Sequence, residues 1–192
     1  MPRLLLATRN EHKRREFARL LPEWEIDALP DDVELPPEDG ETFAANALPK
    51  ARAAAAATGR VSIADDSGIE AAALGGRPGV RSARYAGENA SDRENLALLL
   101  SEAPVGSALE YVCALAYVNP ETGEERIFEG RCKGTLASEP RGERGFGYDP
   151  AFVPGDRPQT ETMAELSDAQ KDEISHRGRA ARALRQWLAA QE

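Results

Sequence analysis

The chain opens with an apolar run set against a polar step. Leu4, Leu5, Leu6 and Ala7 follow Arg3 without interruption and read as a buried strand, whereas Thr8-Arg9-Asn10 is a polar loop leading into a helix with Phe17, Leu20 and Leu21 on one side. A second helix is expected from near Thr42 through the alanine-rich stretch to Gly59, a C-terminal stop. Pro49 lies inside it and removes a helical hydrogen bond, a defect worth about 3 kcal/mol in a regular interior, so a kink or an early break is expected. Val61 to Ala64 reads as the next strand and Gly75-Gly76-Arg77-Pro78-Gly79 as a loop with unusual backbone angles. Ser91-Asp92-Arg93-Glu94 is a capping box ahead of Leu96, Leu99 and Leu100. Tyr111 to Val118 and Arg126 to Gly134 read as strands of a hairpin turning through Asn119-Pro120-Glu121-Thr122-Gly123. A second capping box at Ser167-Asp168-Ala169-Gln170 precedes a final helix with an Ala180, Leu184, Trp187, Leu188 stripe, a pattern of core packing. Strand-loop-helix units combined with a hairpin predict an α/β protein with a mixed sheet.

Length and charge narrow the function classes. The 192 residues suit one substantial domain, 1–192, and no internal repeat divides them. With 33 acidic residues against 24 Lys plus Arg, the net charge of −9 disfavours a broad nucleic-acid-binding surface, so any anion must meet a local basic pocket. The N-terminal apolar stretch is too short for a signal-peptide core or a membrane span, and a soluble cytoplasmic protein is expected. Cys113 and Cys132 lack metal-ligand spacing and read as buried structural thiols, and His12 and His176 are too far apart in sequence to suggest a histidine metal site.

Candidate chemistry begins at Ile63-Ala64-Asp65-Asp66-Ser67-Gly68, where two acids and a hydroxyl follow a short apolar run. Strand ends are where open α/β sheets bind ligands, and an acid pair there suits a divalent cation; the competing reading is an ordinary Asx-type turn. Thr8, Arg9, Asn10 and Lys13 stand where a strand gives way to a helix, a place for phosphate or simply for an Asn N-cap. Glu38 precedes a helix on which Asn46 and Lys50 share a face. Phe146-Gly147-Tyr148-Asp149-Pro150 follows two glycines and offers an aromatic face to a planar base, unless its rings are core anchors. Ser175-His176-Arg177-Gly178 adds donors, or is a helix start followed by surface basics. A Gly-x-x-x-x-Gly-Lys loop is absent, which excludes a P-loop NTPase, and a Ser67-His176-Asp149 triad lacks the Gly-x-Ser-x-Gly elbow.

Taken in order, these segments resemble the Ham1/RdgB family of inosine triphosphate pyrophosphatases nearly end to end. The matching motifs are Ala7-Thr8-Arg9-Asn10 with Lys13, Thr42-Phe43 with Asn46 and Lys50-Ala51-Arg52, and Ile63 to Gly68. Gly75-Gly76 with Pro78-Gly79, Ser82-Ala83-Arg84-Tyr85 with Gly87, Gly145 to Pro150 and Ser175 to Gly178 complete them. The resemblance implies an ITPase-like (Maf/Ham1) α/β fold with a mixed, curved central sheet, flanking helices and two lobes around a nucleotide cleft, acting as a homodimer. It implies Mg²⁺-dependent hydrolysis of XTP, ITP or dITP to the monophosphate and pyrophosphate, with no nucleic-acid or membrane partner.

By the same resemblance Asp66 is the proton acceptor and a metal ligand, Glu38 the second metal carboxylate, and Asp65 a nearby alternative. Thr8, Arg9, Asn10, Glu11, His12, Lys13, Lys50 and Ser67 would hold phosphates and sugar; Phe146, Gly147, Tyr148, Asp149, Lys171, His176 and Arg177 would enclose the base. Lys171 and Arg177 are the candidate donors to a purine 6-oxo group. Two departures stand out: the family commonly has Gly at Arg9, where the side chain adds a phosphate contact or narrows the entrance, and Pro49 precedes Lys50. Competing readings are a nucleotide sensor without catalysis and a Maf-type pyrophosphatase that prefers other bases.

Overall fold

Arg3–Leu6 (β1) is buried from Leu4 onward and is followed by Glu11–Leu20 (α1), which starts where the Asn10 side chain accepts the His12 and Lys13 amides. The computed structural model describes residues 1–157 and 160–191. Glu25–Ala28 (β2) pairs parallel with β1, an edge strand too short and too polar to show in the sequence pattern. Phe43–Thr58 (α2) is capped by Thr42 and stops at Gly59, whose φ of 65° is the left-handed geometry glycine adopts without cost. The helix does not break at Pro49. Its Ala47, Ala51, Ala54 and Ala55 face is fully buried, and that packing holds the turn the proline weakens.

Ser62–Ala71 (β3) is longer than its apolar core, so Asp65 and Asp66 lie within a strand rather than in a turn at its end. The parallel ladder to β1 stops at Leu6 opposite Ile63, however, so the acids begin just past the last β1 pair. Asp92–Glu102 (α3) begins at the expected Ser91 capping box. Ala108–Asn119 (β4) and Glu124–Leu136 (β5) are joined by a four-residue turn, 120–123, and Phe152–Pro154 (β6) pairs antiparallel with β5. Asp168–Ile174 (α4), with its Ser167 capping box, and His176–Ala189 (α5) close the chain. The strand order is β2-β1-β3-β4-β5-β6, a mixed six-stranded sheet with flanking helices, as the α/β reading requires.

Two compact units form, the first from residues 1–66, 113–130 and 177 onward, the second from 67–112 and 131–176. In the first, Leu4, Leu6, Phe17, Ile63, Leu115 and Leu184 pack together, with Trp187 edge-on to Tyr117 at 5.0 Å. In the second, Ile69, Leu99, Tyr111, Phe152, Met163 and Leu166 form a separate core. Cys113 and Cys132 are buried thiols, as expected from the sequence.

Candidate functional site

Side chains alternate along a strand, so neighbours Asp65 and Asp66 leave β3 on opposite faces, and their partners differ accordingly. Asp65 is fully buried; its Oδ2 accepts from Arg177 Nη2 at 3.2 Å, and Lys13 Nζ pairs with Oδ1 at 3.2 Å. Burial works against that charge, yet Lys13, Arg177 and Lys50 outweigh it and hold the Asp65 carboxyl well below the usual range. Arg177 also donates to Glu16 at 2.5 Å and lies over the Phe17 ring. Glu16 and Asp65 keep this buried guanidinium charged against its own desolvation.

Asp66 meets a different set. Its Oδ2 accepts from Asn46 Nδ2 at 2.9 Å, and Asn46 Oδ1 accepts the Gly40 N–H at 2.8 Å. One buried amide therefore fixes both the acid on β3 and the loop that carries Glu38. No side chain fits at Gly40, because a Cβ there would stand 2.7 Å from Asn46 Oδ1. Lys50 donates to Glu38 and, at 2.7 Å, to the Asp65 carbonyl. Burial disfavours the Lys50 charge, but Asp65, Glu38 and Asp66 overcome this and raise it above its ordinary value. Burial, then the Glu38 charge, pushes the Asp66 carboxyl up to about 6. A carboxyl whose charge is disfavoured by burial and by an acidic neighbour is one that a divalent cation relieves.

At the start of α1, Asn10 Oδ1 takes the His12 and Lys13 amides, and Thr8 Oγ1 takes the Asn10 amide. Lys13 points inward to Asp65, whereas Glu11 and His12 are exposed. The Arg9 guanidinium binds main-chain carbonyls of residues 29–33.

The second unit gathers another cluster around buried Asp149. Its Oδ1 accepts from Tyr111 Oη at 2.9 Å; its Oδ2 accepts from Lys171 Nζ at 2.7 Å and from the Phe146 amide at 3.0 Å. Lys171 Nζ stands 5.1 Å from the centre of the half-buried Phe146 ring, within cation–π range. Tyr111 stacks on His176 at 4.5 Å with planes 7° apart. The loop is braced by Tyr148 Oη on the Ser82 carbonyl and by the Gly147 amide on Asp92. Gly145, at φ 71°, is obligatory: a Cβ there would fall 2.0 Å from Asp149 Oδ2. Ser67, the next residue on β3 after Asp66, is half-buried.

Comparison with known proteins decides the lineage. The sequence profile of the Ham1 family matches residues 4–187. The chain belongs to the Ham1 family. It is 48% identical over 195 residues to a dITP/XTP pyrophosphatase of Frankia alni, covering 95% of each chain. To that of Streptomyces avermitilis it is 46% identical over 197 residues, covering 96% of each. Its fold matches a Ham1 protein structure from Coxiella burnetii with a TM-score of 0.86, at 39% identity over 99% of this chain and 100% of that one.

Within this Ham1 chain, two expectations read differently in three dimensions. The acid pair does not share one environment: Asp65 sits among cations, and Asp66 has Glu38 as its acidic neighbour. His176 and Arg177 are buried rather than surface basics, Arg177 among first-unit carboxylates and His176 against Tyr111 in the second unit. Glu16 and Tyr111 escaped the sequence reading. Glu16 did leave a trace, standing three residues after Lys13 and beside Phe17 on the buried side of α1, whereas nothing local distinguishes Tyr111 from any strand aromatic.

Proposed function

We propose that this protein hydrolyses non-canonical purine nucleoside triphosphates, XTP, ITP and dITP, to the monophosphate and pyrophosphate. The observation that carries the reading is the Asp66–Glu38 relationship: a buried carboxyl raised to about 6 by burial and an acidic neighbour, framed by Lys50 and Asn46. Among the described residues no cluster of three or more metal-ligating side chains occurs. Mg²⁺ needs none, because it is commonly held by one or two carboxylates plus substrate phosphates and water. Glu38 and Asp66 fit that donor set, and a cation there would supply charge neutralisation at the triphosphate.

Asp66 orients a water and accepts its proton as the oxygen attacks the α-phosphorus. The new P–O bond forms as the bridge to the β-phosphate breaks, and pyrophosphate departs with that oxygen. Lys13 and Lys50 offset negative charge on the transferred group and on the leaving group. Arg177 holds Asp65, which in turn aims Lys13. Base recognition is assigned to the residues around Asp149, with Phe146 supplying a stacking face and Lys171 a donor suited to a 6-oxo acceptor. Adenine presents an amino group at that position and leaves the donor unmatched. Dimer formation and a cytoplasmic location belong to the same proposal; no helix of the described residues is long and apolar enough to cross a membrane.

The test is pyrophosphate release from ITP, XTP, dITP, GTP and ATP, with and without Mg²⁺. Release confined to the first three and dependent on the metal is expected. Equal rates on all five would refute the selectivity, and binding without release would make the protein a sensor.

A further inference from the structure

Arg9 is bound to main chain on almost every side. Its Nη1 donates to the Leu29 carbonyl at 2.9 Å, and its Nη2 donates to the carbonyls of Pro30 at 2.7 Å and Val33 at 2.9 Å, with that of Asp31 at 3.4 Å. The Asp31 carboxylate, 3.7 Å away, is fully exposed and adds little. Residues 29–40 contain no helix or strand; the Pro30 carbonyl accepts the Val33 N–H at 3.2 Å in a turn, and a planar guanidinium is the side chain that can serve several of these carbonyls at once. The Arg9 backbone is itself held, between β1 and the capped start of α1.

Besides the buried Leu29 and Val33, polar side chains anchor the segment. Arg9 grips 29–33, Lys50 grips Glu38, and Asn46 grips Gly40. Between the first anchor and Glu38 lie Pro36 and Pro37, whose fixed φ angles make a stiff spacer that transmits the position of Val33 to Glu38. Lys50 and Asn46 both come from α2, so Arg9 is the anchor that ties the segment to the strand-helix junction bearing Lys13. We infer that Arg9 is a positioning residue that clasps the 29–33 turn to the β1–α1 junction and thereby presets Glu38 for the divalent cation. The inference deepens the proposed function and rests on its assignment of Glu38. It replaces the expected phosphate contact with a structural duty: in this structure the guanidinium donates to carbonyls, which present negative dipole ends to it.

Arg9→Ala and Arg9→Lys, beside the unaltered protein, test the clasp by two readouts. Amide hydrogen exchange on the metal-free, nucleotide-free protein is expected to quicken across 29–38 in Arg9→Ala, with Arg9→Lys intermediate and the cores unchanged. The Mg²⁺ concentration for half-maximal pyrophosphate release is expected to rise about tenfold in Arg9→Ala, with kcat at saturating Mg²⁺ and nucleotide little altered. Unchanged exchange across 29–38 overturns the clasp, as does a raised nucleotide KM at saturating Mg²⁺ with unchanged metal dependence, which is the signature of a phosphate contact. Faster exchange in Arg9→Ala, where the parent protein releases no pyrophosphate from any nucleotide, would keep the clasp and sink the proposed function instead.

Discussion

Asp65 and Asp66 are adjacent in sequence and opposite in charge environment: cations hold Asp65 well below the usual carboxylate range, while burial and Glu38 push Asp66 up to about 6. Strand alternation is the cause, since it sends one side chain toward Lys13 and Arg177 and the other toward Asn46 and Glu38. Environments that drive paired carboxyls apart assign different roles to them, one structural and one chemical.

Asp66→Asn therefore separates activity from stability. Pyrophosphate release should fall at least about a hundredfold. The metal-free variant should nonetheless be the more stable protein at neutral pH. A folded-state pKa raised to about 6 favours the protonated acid, so that contribution is intact below the ordinary value near 4 and is lost as the pH climbs through 6. Thermal unfolding without metal should show the variant ahead by about 2–3 kcal/mol at pH 8, with the gap closing below pH 4. A variant less stable than its parent at pH 8 would contradict the assigned environment.

The Glu16–Arg177–Asp65 network should reveal itself as coupling. Glu16→Ala leaves a fully buried guanidinium short of one carboxylate and should cost about 3 kcal/mol in denaturant unfolding. Arg177→Met should cost a similar amount, and the double variant less than the two together. Strict additivity would show that the pair acts independently.

Tyr111→Phe keeps the ring on His176 and deletes the hydrogen bond to Asp149. Stability should drop by about 1 kcal/mol. If the Phe146 loop meets the base, KM for ITP and XTP should rise more than kcat falls. Gly145→Ala should damage binding further, because its Cβ would displace the Asp149 carboxylate altogether. A Tyr111→Phe effect on kcat alone would move Asp149 out of base recognition.

Asp27 offers a second pH test. The Arg3 hydrogen bond lowers its pKa, with Arg60 helping against partial burial. A depressed carboxyl stabilises the fold above its unfolded value and loses that benefit as the pH falls. Asp27→Asn should thus be less stable than the parent above about pH 4 and match it in stronger acid. The difference should stay under about 1 kcal/mol because Arg3 is half-exposed. A gap that persists at pH 2 would point to packing rather than charge.

Helix starts and stops were legible because they are local. Thr42, Ser91 and Ser167 cap through amides three residues away, and Gly59 ends α2 through its own φ, so sequence neighbours contain the whole interaction. The strands were legible as apolar runs but not in extent: β3 continues through two acids because their partners come from residues 13, 46 and 177, which no window of sequence includes. β2 and β6 were missed for the same reason, being four and three residues whose strand character depends on a neighbour to pair with.

What the chain by itself determined was the longer strands and helices, the caps, the family and the roster of reactive groups, all readable from residue identity and short spacing. Only the tertiary structure decided which of two adjacent aspartates is neutralised, that Arg9 binds carbonyls, and that Arg177 is enclosed. Burial and charge compensation depend on groups brought from far along the chain, and a carboxylate's chemistry belongs to those neighbours as much as to itself.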